Sequence, residues 1–205
     1  MSGPRAEMLL TTMALIERFT LERVWTDLAD DEFFWEPVPR SWSIRLRVDC
    51  KTPTPFGTGA WVADFDAGVA AGDDWAKDGE PFTTIAWLMW HFGSMPGRTA
   101  ELDFLGGPKS AESGWTSPYL SDHPRFTSAT EAVEALRAGW QSLGSAIRSA
   151  SDEQLERETR IFKRPLQGHH LVASVLNEVS HHGAQVCVVR DLHRDLAGGV
   201  LRPDQ

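Results

Sequence analysis

The sequence has little of several features that identify common classes of protein. Its 205 residues include only two cysteines, Cys50 and Cys187, which form no CxxC motif, so no disulfide framework is evident. Acidic residues outnumber basic ones, and the net charge of -9 argues against binding to nucleic acids or to anionic membrane surfaces. No run of about 18 apolar residues is present to span a bilayer. A Gly-rich phosphate loop, a GxGxxG motif and a GxSxG elbow are also missing.

The remaining composition is typical of an ordinary soluble globular protein. Hydrophobic residues make up 41% of the chain and charged residues 24%. The length fits one domain, and we expect a single domain over residues 1–205, with a long loop at about residues 29–80 and a tail at about residues 198–205. The N-terminus continues into an amphipathic pattern and not into a signal peptide. Cytoplasmic residence with both cysteines unpaired is therefore the default expectation.

Four segments have the apolar spacing of amphipathic helices. They cover about residues 7–28, 81–105, 128–147 and 171–196. Pro96 lies inside the second segment, and we expect it to kink the helix or to end one helical segment just after His91. Ser128 followed by Glu131 is a capping-box pattern at the start of the third segment. The pattern predicts an all-α protein whose helices pack as a bundle.

Two long connections, residues 29–80 and 106–127, are expected to be irregular and to pack as lids or walls of a site. The acidic run over residues 64–80 predicts a solvated loop. Five of the nine tryptophans lie in these connections and are expected to pin them onto the helices: Trp35, Trp42, Trp61, Trp75 and Trp115. In an alternative interpretation, Trp42 or Trp61 lines an apolar pocket above a bound metal. The tryptophans at core-like helical positions are Trp25, Trp87 and Trp140.

The fourth helix contains a pair of residues that are capable of binding a metal. Glu178 and His182 are four residues apart, so both leave one helical face about one turn apart. This face is apolar at both ends of the helix and polar in its middle, which is the pattern of a site set inside a bundle. The simpler interpretation is a hydrogen-bonded helix pair. His91, on the second predicted helix, is the best candidate for a third ligand, although a lone histidine among apolar residues is more often a satisfied core residue.

Two histidines and one carboxylate would leave coordination positions open. Structural zinc sites usually close with four protein ligands, commonly including cysteine. Cys187 lies five residues after His182 and is therefore well off the stripe that carries Glu178. An open site suits water, a thiol or a substrate oxygen. Zinc is our first choice of metal, with nickel and iron as alternatives.

The other histidines have less specific positions. His181 is adjacent to His182 and points about 100° away from it on a helix, so we expect it behind the ligands, on the surface or at an interface. His169 and His170 precede the predicted fourth helix and are expected in a loop, with a place at a pocket rim as the alternative. The two histidines expected on the surface are His123 and His193.

Several segments together resemble the DinB superfamily of four-helix bundles, which includes mycothiol-dependent maleylpyruvate isomerase and bacillithiol transferases. They are residues 31–37 (DEFFWEP), 42–45 (WSIR), 84–91 (TIAWLMWH) and 177–185 (NEVSHHGAQ), continuing through residues 190–192. The resemblance implies an antiparallel four-helix bundle with one long crossover, and a homodimer. It also implies a metal held by His91, Glu178 and His182. Many members have histidine at the middle one of these three ligand positions. This chain has Glu178 there, which resembles the mycothiol-dependent isomerase type.

The resemblance suggests a metal-dependent enzyme that transfers or uses a low-molecular-weight thiol in detoxification. The metal would lower the pKa of the thiol, which would attack an electrophile in an S-transfer or isomerisation. Gln185 is a candidate for orienting a ligand or water, and Arg45 for binding an anionic group. The alternative is a non-catalytic metal-binding stress-response protein or a small-molecule-binding protein.

Overall fold

The computed structural model describes residues 3–65, 82–109, 126–161 and 164–197, and these residues are mostly helical. The helices are α1 (Pro4–Ile16), α2 (Glu22–Trp25), α3 (Asp30–Phe33), α4 (Ile85–Phe92), α5 (Met95–Ala100), α6 (Ala129–Ser149), α7 (Asp152–Glu156) and α8 (Gly168–Ala197). The strands are β1 (Ser43–Leu46), β2 (Trp61–Asp64), β3 (Glu158–Ile161) and β4 (Arg164–Gln167). Within these ranges, no helix combines the length and apolar character needed to cross a membrane.

The first predicted helix is present, with an irregular turn in its middle. A π-helical turn, Glu17–Leu21, joins α1 to α2, so the chain is helical from Pro4 to Trp25. Its inward stripe of Leu9, Met13 and Ile16 is buried. The helix ends three residues before the predicted end, where Thr26 has an extended conformation.

The second predicted helix is two helices, as the position of Pro96 suggested. Thr84 caps α4, because its hydroxyl accepts a hydrogen bond from the backbone N–H of Trp87. The helix α4 ends at Phe92, and α5 begins at Met95 with Pro96 in its first turn, where a missing N–H costs little. His91 is therefore in the last turn of a short helix, and Pro81, the predicted start, lies outside the described residues.

The third and fourth predicted helices are α6 and α8. Ser128 caps α6 by accepting a hydrogen bond from the backbone N–H of Glu131. The helix α8 begins at Gly168, three residues earlier than predicted. The prediction that His169 and His170 lie in a loop is therefore wrong, since both are in the first turn of α8, where the apolar pattern has not yet started.

The prediction of an all-α chain is corrected by two small antiparallel sheets. The strands β1 and β2 pair with Ser43 opposite Asp64, inside a connection that we expected to be irregular. The strands β3 and β4 pair with Glu158 opposite Gln167. Strands of four residues are too short for a clear alternating pattern, so the sequence does not reveal them.

The long helices share one apolar core. The helix α8 packs against α1 and α4, and α6 packs against α1, α4 and α5. The core includes Leu88 and Met89 of α4, Leu136 of α6, and Leu176 and Val179 of α8. This arrangement places the middle of α8 directly beside the last turn of α4.

The tryptophans of the described connections pack onto the helices. Trp42 is buried and its ring lies 5.2 Å from that of Trp87, while Trp61 stacks on Phe34. Trp87 and Trp140 are buried, as expected of core residues. The positions of Trp75, Trp115 and His123, and most of the connection over residues 106–127, lie outside the described residues.

Asp64 is buried, so the prediction of a solvated loop is wrong for the first residue of the acidic run. Its carboxylate accepts hydrogen bonds from Nε of Arg45 at 2.7 Å and from the backbone N–H groups of Lys51 and Thr52. Burial opposes ionisation, but these bonds and one from the Thr52 hydroxyl outweigh it and hold the pKa of Asp64 below its ordinary value. The ion pair between Asp64 and Arg45 thus joins β2 to β1 and to the chain that follows β1. The rest of the acidic run, residues 66–80, lies outside the described residues.

We predict that Asp64→Ala lowers the free energy of unfolding by about 3 kcal/mol, because it removes one of the two carboxylates that pair with the largely buried guanidinium of Arg45 and also removes the acceptor of the Lys51 and Thr52 backbone N–H groups. Urea unfolding measures the change. The matched control is Asp31→Ala, at an exposed acidic position, which should change the free energy by less than about 0.5 kcal/mol. Equal effects of the two substitutions would contradict the role given to Asp64.

Candidate metal centre

Three side chains that commonly bind metals meet between α4 and α8. His91 comes from the last turn of α4, and Glu178 and His182 come from the middle of α8. Oε2 of Glu178 lies 3.2 Å from Nε2 of His182 and 3.8 Å from Nε2 of His91. Each residue offers one ligand atom, and the three atoms all lie within 4.8 Å of one another. The three residues predicted as ligands therefore form one cluster.

A glycine directly after the cluster residues allows α8 to lie close to the first helix. Glu178 and His182 are one turn apart on the same face, as their spacing predicts. Gly183 follows at once, and a Cβ at this position would lie 2.6 Å from Cγ2 of Thr20 in the π-helical turn. A larger residue at Gly183 would therefore push α8 away from the first helix.

Aromatic rings restrain both imidazoles. Trp87, one turn before His91 on α4, stacks on it with ring centroids 5.1 Å apart and an angle of 10°. Phe92 lies nearly parallel to His182, with centroids 6.2 Å apart. The two imidazoles meet edge to face at 4.7 Å. Sequence reasoning identified Trp87 only as a packing residue, although its spacing of four residues from His91 on one helix was a local signal. It missed Phe92, because stacking between two helices leaves no local pattern.

His182 lies between two hydrogen-bond acceptors. Its Nδ1 is 2.6 Å from Oε1 of Gln185, and its Nε2 faces the carboxylate of Glu178. In this orientation of the Gln185 side chain, the amide oxygen accepts a hydrogen bond from Nδ1 of His182. Nε2 then faces a carboxylate oxygen of Glu178. A positive centre between Nε2 and the carboxylate would stabilise this contact.

The charges of the cluster favour a cation between the three residues. Hydrogen bonding with His182, and then with His91, lowers the pKa of Glu178 to about 2, against the opposing effect of burial. Burial lowers the pKa of His91, outweighing the hydrogen bond with Glu178 that raises it. Near neutral pH the cluster therefore contains an ionised carboxylate and a neutral His91, which are the forms that bind metal.

The distances also fit a small divalent ion. Metal–ligand bonds of about 2.0–2.2 Å place neighbouring ligand atoms of a tetrahedral site about 3.3 Å apart. The two separations from Oε2 of Glu178, 3.2 Å to His182 and 3.8 Å to His91, are close to this value. The side chains of His91, Glu178 and His182 are 16%, 24% and 12% exposed, so the cluster is enclosed but reachable from solvent.

The other predicted histidines lie outside the cluster. His181 is exposed and stacks on His182 with ring centroids 4.5 Å apart. Nδ1 of His169 pairs with the backbone oxygen of Leu155 at 2.9 Å. His193 packs edge to face against Trp35.

Arg45 and Gln185, the two candidate catalytic residues, have contacts of different kinds. Arg45 pairs with Asp64 and Glu36 and also donates to the backbone oxygen of Ser41. These contacts balance its charge within the chain, without an external anion. Gln185 contacts His182 and so belongs to the immediate surroundings of the cluster.

The cysteines do not take part in the cluster. Cys187 is buried on α8 with its Sγ 3.9 Å from the backbone oxygen of Thr20, and burial raises the pKa of its thiol. Cys50 is also a free thiol, as predicted. Neither is a candidate for an activated thiolate, because such cysteines have a lowered pKa.

Fold and site together define a mostly helical protein with a His–Glu–His cluster between two of its helices. A sequence model of the DinB superfamily matches residues 63–186. The match spans more than half of the chain and includes all three cluster residues, and the chain belongs to the DinB superfamily. No curated protein and no solved structure matches it. The comparisons thus assign a family and no reaction.

We predict that Glu178→Gln destabilises the metal-free protein by about 1 kcal/mol at neutral pH, the order expected for a partly exposed charged hydrogen bond. The folded-state pKa of about 2 lies below the ordinary 4.5, so Glu178 stabilises the fold above pH 4.5 and loses this contribution as the pH falls toward 2. The stability gap between wild type and variant should therefore narrow below pH 4.5. Urea unfolding at several pH values measures the gap.

The control for this prediction is Glu134→Gln, an exposed position on α6. This substitution should leave stability nearly unchanged at each pH. A gap for Glu178→Gln that widens as the pH falls below 4.5 would show that the carboxylate is not stabilised in its ionised form.

Proposed function

We propose that the protein binds one divalent metal ion, with zinc as the first choice, through Nε2 of His91, Oε2 of Glu178 and Nε2 of His182. The observation that carries this proposal is the meeting of His91, Glu178 and His182, with His182 between the Gln185 amide oxygen and the Glu178 carboxylate, where a positive centre at Nε2 would be stabilised. A metal ion would provide that centre and draw on the lone pair of His91 as well. A proton would satisfy only the contact between His182 and Glu178.

The reaction that this site suits best is transfer or isomerisation with a low-molecular-weight thiol. Three protein ligands leave a coordination position open. When bound, zinc would lower the pKa of a thiol at that position and so supply a nucleophilic thiolate near neutral pH. The support for this choice is the resemblance of the cluster, with Glu178 at its middle position, to the mycothiol-dependent isomerase type. Detoxification of electrophiles is the corresponding biological role.

The protein's own residues would hold and orient the reactants. Gln185 fixes the ring orientation of His182, because it accepts the Nδ1 proton and leaves Nε2 for the metal. Trp87 and Phe92 limit rotation of the two imidazoles. The partial exposure of Glu178 provides the side from which a thiol and an electrophile would approach.

The fold that we propose for this chain is an antiparallel four-helix bundle. The packing of α8 on α1 and α4, and of α6 on α1, α4 and α5, supports it. We also propose that two chains pair through their helices into a homodimer in the cytoplasm. Sedimentation velocity of the purified protein tests the pairing.

We predict that His182→Ala lowers zinc affinity by more than about 100-fold, since loss of a ligand should exceed the effect of losing a residue that only orients one. His181→Ala is the matched control. It removes the adjacent, exposed imidazole and should change the affinity less than about threefold. Competition with a zinc-binding dye measures both variants. Wild-type protein that stays metal-free after reconstitution, or equal affinities of the two variants, would reject the metal site.

Turnover separates the enzyme from the non-catalytic alternative. The zinc-loaded protein is assayed with a panel of low-molecular-weight thiols and electrophilic acceptors. Thiol-dependent turnover that His182→Ala abolishes and His181→Ala retains supports the enzyme. Stoichiometric zinc that raises the melting temperature, without turnover on any thiol, supports instead a metal-binding stress-response or small-molecule-binding protein.

A further inference from the structure

A cavity of about 400 Å³ opens along the C-terminal half of α8, just beyond the metal ligands. We call it the α8 groove. Its apolar walls include Phe82, Val188, Val189 and Leu192. Its volume lies within the range of small-molecule sites, which are mostly apolar with a few polar groups. Glu178 and His182 are not among the residues that line it, so the α8 groove is distinct from the metal centre.

Apolar side chains of the α8 groove are exposed to solvent. Phe82 is 56% exposed, Val188 58% and Leu192 36%. Single exposed apolar residues are common, but here they surround one concave space. A ligand with an apolar body would remove this surface from water, which is favourable in proportion to the area covered.

The polar groups of the α8 groove favour a ligand with a hydrogen-bond acceptor. Gln185 lines the groove, and its Oε1 is already used by His182. Its NH₂ group, which has no hydrogen-bond partner among the described residues, is a donor of two hydrogen bonds. His181 and Thr83 also line the groove, and none of its described lining residues carries a carboxylate. This set of groups suits an oxygen acceptor and offers no counter-ion for an amine.

We propose that the α8 groove binds a small molecule with an apolar aromatic or aliphatic body and one carboxylate, an oxygen of which accepts hydrogen bonds from the NH₂ group of Gln185. The binding requires no metal. Because Gln185 holds both this oxygen and the Nδ1 proton of His182, an occupied groove also stabilises the orientation of the metal ligand. By thermodynamic linkage, such a ligand and zinc would each raise the affinity of the other.

Binding of 4-phenylbutanoate to the metal-free protein, measured by calorimetry, tests the proposal, with 4-phenylbutylamine as the probe of opposite charge. We expect the carboxylate probe to bind at least about tenfold more tightly than the amine. Val188→Glu, which places a carboxylate on the exposed wall, should weaken binding of the carboxylate probe by about tenfold or more. Gln185→Leu, similar in volume but without the donors, should weaken it by about threefold to tenfold.

The matched control is Leu196→Glu. Leu196 is 44% exposed on the same helix and does not line the α8 groove, so this variant should bind the probe like wild type. Equal losses in Val188→Glu and Leu196→Glu, or no preference for the carboxylate probe, would overturn the proposal. A dimer that Val188→Glu splits, with unchanged probe affinity, would identify the α8 groove as a subunit interface and also overturn it.

His91→Ala distinguishes a failure of this proposal from a failure of the proposed metal site. It removes a proposed ligand on α4 and leaves the lining of the α8 groove intact. We expect this variant to lose zinc and to keep the affinity of wild type for 4-phenylbutanoate. Loss of probe binding in His91→Ala would assign the probe to the metal centre and reject the groove. Wild-type protein that binds the probe but no zinc would reject the metal site and leave the groove established.

Discussion

An imidazole with hydrogen-bond acceptors at both ring nitrogens sets the requirements for the rest of the centre. Gln185 lies at Nδ1 of His182 and Glu178 at Nε2, and a neutral histidine can donate to only one of them. A positive charge between Nε2 and the carboxylate would make the second contact favourable as well. Partial burial strengthens the requirement, because an unpaired carboxylate away from water is costly. His91 then adds a third ligand atom, its Nε2, which lies 3.8 Å from Oε2 of Glu178. This distance suits a shared metal ion better than a shared proton.

The fold satisfies this requirement through contacts that begin far from the cluster. The ion pair between Arg45 and Asp64 joins strands β1 and β2. Trp42, directly before β1, packs on Trp87. Trp87 in turn stacks on His91. The long connection between the first two predicted helices therefore supports His91, a proposed metal ligand, through two aromatic contacts, and does not merely cover the core.

The helix α8 is anchored on the other side of the cluster. Arg190, two turns after His182, forms an ion pair with Glu32, and both side chains are largely buried. Arg190 also donates hydrogen bonds to backbone oxygens at the end of the first helix, including that of Thr26. With the close approach at Gly183, this fixes α8 along the first helix. The Glu178–His182 pair is thus presented to α4 by a helix held over several turns.

The sequence predicts the parts of this account that depend on local patterns. The spacing of Glu178 and His182, the cap at Ser128 and the break at Pro96 are all local, and the structure contains them. The four-residue strands carry too little pattern to be identified, and the first turn of α8 precedes its apolar stripe.

Interactions between distant segments could not be predicted from such patterns. The burial of Asp64 depends on Arg45, which lies 19 residues earlier, so the sequence shows only an acidic run. The approach of His91 to α8 is another long-range contact. It could be expected from the inward faces of two helices and from the family resemblance. The distance between His91 and Glu178 could not be predicted. Gln185 was a candidate for orienting a ligand because of its place on the stripe, and its bond to Nδ1 of His182 required the structure.

A crystal structure of the zinc-reconstituted protein, with diffraction data collected on both sides of the zinc absorption edge, tests the central claim most directly. The account predicts one strong anomalous peak bonded to Nε2 of His91, Oε2 of Glu178 and Nε2 of His182, at about 2.0–2.2 Å from each. It also predicts that Gln185 keeps its contact with Nδ1 of His182. A zinc ion bound elsewhere, or no peak between the three residues, would contradict the account.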